Sequence, residues 1–236
     1  MEELFRQDSY LRECRAHVTG ADAVGISLDR TVFYPTGGGQ PGDTGHLRLA
    51  DGSEVEIVDT RKGAAPGEIL HVPAPGSMLP PVGAEVIATI DWERRHRLMR
   101  MHTCLHLLCS LVSGDVTGGQ ISNGRGRLDF NLPPEANLDK TMLTEQLNRL
   151  VAEDRTVEPR WISDAELAAK PKLVRTMSVK PPSGQGQVRL LEIAGIDLQP
   201  CGGTHVRRTG EIGPVEVTKI ESKGRMNKRV NIAFVA

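Results

Sequence analysis

The chain changes its hydrophobic period once. Over the first ninety residues, apolar positions alternate or run for strand length in HLRLA, EVEIV and EVIATI, the period of two that predicts strands. Between them GGGQPGD, ADGS and the Pro/Gly-rich stretch 62–83 supply turn chemistry, so this part reads as a small β-barrel or sandwich. From Leu98 onward the spacing becomes helical. Leu98, Met101, Leu105, Leu108 and Val112 fall at 3-4-3-4 intervals and define one buried stripe. A second helix is predicted over 137–155, with Asn137 or Asp139 as its cap. A third is predicted over 163–170, where Ser163 and Glu166 form a capping box. Strands return in VRLLEIAGIDL, GPVEVTKIES and RVNIAFVA, which are rich in β-branched residues. The class is therefore α+β, with a β-barrel domain over 1–90 and an α+β domain over 91–236.

Composition narrows the function. At 236 residues, 39% hydrophobic and 25% charged, the chain has ordinary globular usage, which argues against disorder and fibrous architecture. No apolar run approaches the roughly 18 residues of a membrane span, and the acidic start MEELFRQDSYLRECR is unlike a secretory leader. A soluble, cytoplasmic protein is expected. Cys14, Cys104, Cys109 and Cys201 are too few and too scattered for a disulfide framework, leaving metal binding or core packing. The net charge of -1 hides a split: residues 1–90 hold 7 Lys/Arg against 13 Asp/Glu, and the remainder 22 against 17. Bases cluster at Arg94, Arg95, Arg97 and Arg100, and again at Lys223, Arg225, Lys228 and Arg229. Such clusters are either solvated faces or a phosphate-tracking surface.

The chemistry concentrates in two short motifs. HTCLH sets His102 and His106 one helical turn apart on the same face, where two imidazoles converge on one ion. CGGTH adds the Cys201 thiolate and His205, with two glycines that let the backbone turn tightly between them. Three imidazoles and one thiolate suit Zn²⁺, one per chain. Cys109, a turn beyond His106, is a rival ligand, whereas Cys104 points to the other side and reads as a core thiol. Four protein ligands normally mark a structural zinc, since a catalytic one keeps a position open. The chain has no G-x-S-x-G elbow, and GGGQPGD lacks the Lys-Ser/Thr ending of a phosphate loop, so neither a serine hydrolase nor an ATP-dependent activity is expected.

HTCLH and CGGTH, preceded by FYPTGGGQPGDTG, closely resemble the alanyl-tRNA editing proteins of the AlaX family and the editing domain of alanyl-tRNA synthetase. The resemblance covers nearly the whole chain. It implies a translation-factor-like N-terminal barrel, an editing-type C-terminal domain, and hydrolysis of alanine tRNA mischarged with serine or glycine. His102, His106, Cys201 and His205 match the zinc ligands. Thr31 with Gly37, Gly38, Gly39 and Gln40 matches the part of the N-terminal domain that reaches the editing pocket in the longer members, where it would bind substrate, and Gln120 is similar to a pocket glutamine of the synthetase domain. Leu105 departs from the threonine common in the synthetase. The arginines at 94, 95, 97 and 100 are then read as contacts to mischarged tRNA, and no obligate protein partner is inferred. The competing reading is a zinc-stabilised tRNA-binding module without catalysis.

Overall fold

The computed structural model describes residues 1–175 and 186–235. The chain divides into two compact units, Met1–Arg97 and Leu98–Ala236.

The first unit opens with a two-residue strand β1 (Glu2–Glu3) and a single helical turn α1 (Leu4–Gln7). The long strand β2 (Glu13–Ala21), the short β3 (Ile26–Leu28) and β4 (Arg30–Thr31) follow, and β1 pairs in parallel with β4. Then come β5 (Gly45–Leu49), β6 (Glu54–Lys62), β7 (Ile69–Pro73) and β8 (Glu85–Ile90). Strands β2, β3, β7, β6, β5 and β8 close into a barrel in that order. Its inward positions are the alternate apolar ones: Ala16, Val18, Leu28, Leu47, Val55, Ile57, Val86 and Ala88 form one core cluster with Phe33. Strand β7 lies inside the Pro/Gly-rich stretch read as turns. Its alternation, Ile69 and His71 inward, is only three residues deep and is masked by the prolines around it.

A helix, α2 (Trp92–Leu111), links the units. Asp91 Oδ1 accepts from the Arg94 amide at its start, an N-terminal cap. Leu98, Met101, Leu105, Leu108 and Val112 are all buried, as the spacing predicts. The burial is wider than a stripe, because His102, Thr103, Cys104, His106 and Cys109 are buried as well. From 101 to 109 no face of the helix meets solvent.

The second unit has a four-stranded antiparallel sheet in the order β14, β15, β10, β9, with β9 (Asp115–Ser122), β10 (Arg125–Asn131), β14 (Val215–Ser222) and β15 (Asn227–Phe234). The β9–β10 hairpin turns at Asn123-Gly124, with Gly124 at φ +78. A Cβ on Gly126 would come within 2.8 Å of Met101 Sδ and 3.2 Å of Leu105 Cδ2, so this sheet lies against α2 at glycine distance. Helix α3 (Lys140–Ala152) is capped by Asp139, whose side chain accepts from the Met142 amide. A second, three-stranded sheet contains β11 (Val157–Ser163), β12 (Gln187–Ile193) and β13 (Asp197–Pro200), with β12 in the middle. Between β11 and β12 lies α4 (Asp164–Ala169), which starts with the predicted capping box of Ser163 and Glu166.

Candidate metal centre

Helix periodicity brings His102 and His106 to one flank of α2, and the end of β13 delivers Cys201 and His205. Among the described residues these four converge, their ligand atoms all within 4.8 Å of one another. Cys201 Sγ lies 3.2 Å from His205 Nε2 and 3.6 Å from His102 Nε2. Bond lengths of about 2.0–2.1 Å to nitrogen and 2.3 Å to sulfur, set tetrahedrally, give edges of about 3.3–3.6 Å. The Cys201–His205 and Cys201–His102 edges are therefore close to those of a tetrahedral cation site.

The far sides of the His205 and His106 imidazoles are held. Thr103 Oγ1 donates to the Met99 carbonyl at 3.0 Å, so its oxygen accepts from His205 Nδ1 at 3.1 Å, and the His205 Nε2 lone pair faces the cluster. His106 Nδ1 donates to Asp197 Oδ2 at 2.9 Å, and Gln199 Nε2 donates to the same oxygen at 2.7 Å. Arg189 Nη1 donates to the carbonyls of Cys201 (2.7 Å) and Gly203 (3.1 Å), fixing the loop that carries the thiolate.

Charge within the cluster is interdependent. Burial opposes the Cys201 thiolate, but the surrounding imidazoles of His102, His205 and His106 hold its thiol well below the usual range. Burial likewise opposes a charged His106, yet the Cys201 thiolate and Asp197 carboxylate outweigh it and raise it to about 10. His205 is pushed well below its ordinary value by burial and by the neighbouring His102. A thiolate and a carboxylate gathered with three imidazoles in a buried pocket form a site whose charge a divalent cation balances. Cys109 stays outside the group; it is buried, and burial raises its thiol. Cys104 is a core thiol pushed up to about 12 by burial.

The other sequence candidates are placed differently. Thr31 and Gln40 are interior residues, not surface donors. Thr31 Oγ1 sits 2.8 Å from His71 Nε2 and accepts from the Phe33 amide at 3.0 Å, a barrel-core bridge. Gly37 and Gln40 exchange both backbone hydrogen bonds, leaving Gly38 and Gly39 at the tip of a tight turn with φ of +57 and +84. Gln120 is exposed on β9 and accepts from Arg127 Nε and Nη2 at 3.2 and 3.1 Å. It shares the Arg127 face of the sheet, opposite the Gly126 face that meets α2.

Of the four arginines, Arg95 must be corrected outright. It is 0% exposed, and its guanidinium is bonded to both oxygens of Asp43 and to the carbonyls of Ser9 and Val32. An arginine so enclosed cannot reach a phosphate. Arg94 Nη1 donates to the Gly42 carbonyl at 2.7 Å. Arg100 donates twice to the Ile212 carbonyl and lies over the Phe234 ring at 4.3 Å. Arg97 is exposed. The motif GQPGD thus supplies barrel structure through Asp43, and also through Gly42, where a Cβ would lie 2.0 Å from the Thr60 carbonyl. Sequence reasoning missed Asp197, Gln199, Thr103 and Arg189. The alternation of Asp197, Gln199 and Cys201 along one strand face was the available signal.

Comparison with known proteins agrees with this architecture. Residues 188–231 match the threonyl and alanyl tRNA synthetase second additional domain, and residues 6–94 match class II (A) tRNA synthetases. A closed barrel with that second domain and a buried His/Cys cluster defines an aminoacyl-tRNA editing enzyme. The chain is 36% identical to alanyl-tRNA editing protein AlaX-M of Saccharolobus solfataricus and 38% identical to that of Methanosarcina acetivorans, each over 97% of both chains. It is also 36% identical to the alanine–tRNA ligase of Pyrobaculum neutrophilum, over 93% of this chain and 25% of the ligase. The chain belongs to the alanyl-tRNA editing protein family.

Proposed function

We propose that this chain hydrolyses the ester of alanine tRNA mischarged with serine or glycine, and that the cation held by His102, His106, Cys201 and His205 is Zn²⁺. The carrying observation is the donor set itself: one thiolate and three imidazoles, their ligand atoms within 4.8 Å of one another, suit a borderline-soft ion. When bound there, Zn²⁺ supplies Lewis-acid stabilisation to an ester carbonyl or lowers the pKa of a water. Around it, Asp197 and Thr103 orient the His106 and His205 rings, and Arg189 fixes the Cys201 loop.

The need for such a site follows from binding energies. A synthetase pocket for alanine distinguishes glycine or serine only about 10–200-fold, because one methyl or one tolerated hydroxyl is a small difference. A second site that hydrogen-bonds the serine hydroxyl rejects alanine by roughly 10⁴–10⁵, since alanine leaves those polar groups unpaired. Gly38 and Gly39, at the tip of the turn, are the barrel residues assigned to substrate contact, and exposed Arg97 is assigned to phosphate. A second reading has one observation in its favour: four protein ligands fill a tetrahedron, the habit of structural zinc, which would leave a tRNA-binding module without catalysis.

The experiment is deacylation of seryl-, glycyl- and alanyl-charged alanine tRNA by zinc-loaded protein and by Cys201→Ala. Serine and glycine release by the parent, alanine retention, and loss in the variant are expected. Tight tRNA binding with no release of any amino acid would establish the module instead.

A further inference from the structure

The three-stranded sheet carries a row that the metal centre does not use. In the β11–β12 register Trp161 stands opposite Arg189, and the β12–β13 pairing continues past Leu190↔Pro200 to the Cys201 amide, which donates to the Arg189 carbonyl at 3.2 Å. Trp161, Arg189 and Cys201 therefore form one cross-strand row, with side chains on one face. That face is the metal-facing one, because Asp197 and Gln199 alternate with Cys201 and both reach His106. Two strand spacings, about 10 Å, separate Trp161 from Cys201 along the row. Trp161 is 50% exposed, although it is one of only two tryptophans in the chain and lies beside a buried row partner. The other large side chains on this face, Leu191 and Ile193, are buried. Among the described residues, Trp161 is the large side chain of this face left half exposed, and it stands on the edge strand.

We propose that Trp161 is a stacking platform for the terminal adenine of the aminoacylated tRNA. This rests on the editing reading of the metal centre. The substrate's reacting carbonyl and its adenine are separated by one ester linkage and one ribose, a span of the same order as the spacing of the row. A base laid on the indole would hold the ester over Cys201 and its imidazole partners. Arg189 between them donates to the carbonyls of the Cys201 loop. Stacking on an aromatic ring is tolerant of sequence and needs no hydrogen-bond partner, which suits an end common to all tRNAs. Trp161 is accordingly a positioning residue for the substrate, contributing to binding and not to bond breaking.

The test uses zinc-loaded full-length protein. The probe is a non-hydrolysable 3′-serylamino-3′-deoxyadenosine, with the matching uridine compound as control, and the readout is tryptophan emission. The adenosine probe should quench emission more than the uridine probe. Trp161→Phe should abolish the indole signal that responds while retaining Trp92 emission. In steady state, Trp161→Ala should raise KM for seryl-tRNA about five- to a hundredfold with kcat far less changed, and Trp161→Phe should stay near the parent. Unchanged zinc content and circular dichroism identify a folded variant. Parental KM in folded Trp161→Ala, or equal quenching by both probes, overturns the platform while leaving the editing reading intact. Adenine-selective quenching by a parent that releases no amino acid would instead overturn the editing reading and retain the platform.

Discussion

Replacing Arg95 by alanine separates a folding role from a tRNA-binding role. The guanidinium is fully enclosed, engages both carboxylate oxygens of Asp43 and reaches the carbonyls of Ser9 and Val32. Removing one partner of a buried ion pair costs about 3–5 kcal/mol, because the other charge is left in a low-dielectric interior. Each carbonyl that loses its donor and cannot reach water adds about 1–3 kcal/mol. Asp43 keeps the Tyr34 amide, at 2.6 Å, which offsets part of this. A net loss of about 4–6 kcal/mol is expected, a large share of the 5–15 kcal/mol typical of a domain. The assay is urea unfolding followed by Trp92 emission, since Trp92 packs against the barrel core. Arg95→Met combined with Asp43→Asn removes both charges and should recover at least half of the loss. Binding of tRNA is then measured against salt in the same proteins. If Arg95→Ala kept its urea midpoint and lowered the log-log salt slope by about one unit, Arg95 would be a phosphate contact and the enclosed pair would be irrelevant to folding.

Other expectations follow from neighbouring features. His71, held between Thr31 and the Ile26 carbonyl, is pushed by burial to about 4, below its ordinary value near 6.5. The unfolded chain therefore binds the extra proton first; stability is full above pH 6.5 and falls by about 3 kcal/mol as pH drops towards 4, so His71→Gln should show a flatter urea-midpoint profile across that window. Asp197→Asn should weaken metal retention about 10–100-fold in a chelator competition, with retention at the parental level arguing that the His106 ring needs no outer partner. Gly42→Ala should lose barrel stability, because its Cβ would meet backbone 2.0 Å away, whereas Gly38→Asn should fold normally in open space and reveal any effect on seryl-tRNA hydrolysis alone. Arg97→Ala should weaken all charged alanine tRNAs alike, read as a reduced salt slope.

The metal ligands were legible because each half-site is local: five residues of helix, or five residues of glycine-rich turn, put two donors side by side. Their supports were not, because Asp197 meets His106 across 91 residues of chain, a pairing created only by strand register. The β9–β10 hairpin escaped notice because GGQIS and RGRLDF hold few β-branched residues, even though Asn-Gly marks the turn. Arg95 was misread through its charge. Continuing the 3-4 alternation one step back from Leu98 lands on Arg94, so the period did not single out Arg95, whose burial is tied to Asp43 across 52 residues of chain.

The continuous helix α2 also bears on how the molecule can be dissected. A fragment starting at Leu98 would open on four amides with no acceptor, without the Asp91 cap, and its first metal-binding imidazole would sit one turn from a fraying end. Starting at Asp91 restores the cap but imports Arg95 without Asp43. Neither severed half inherits a finished helix, so expressing the second unit alone calls for a redesigned start, such as a capped leader with a neutral residue at 95.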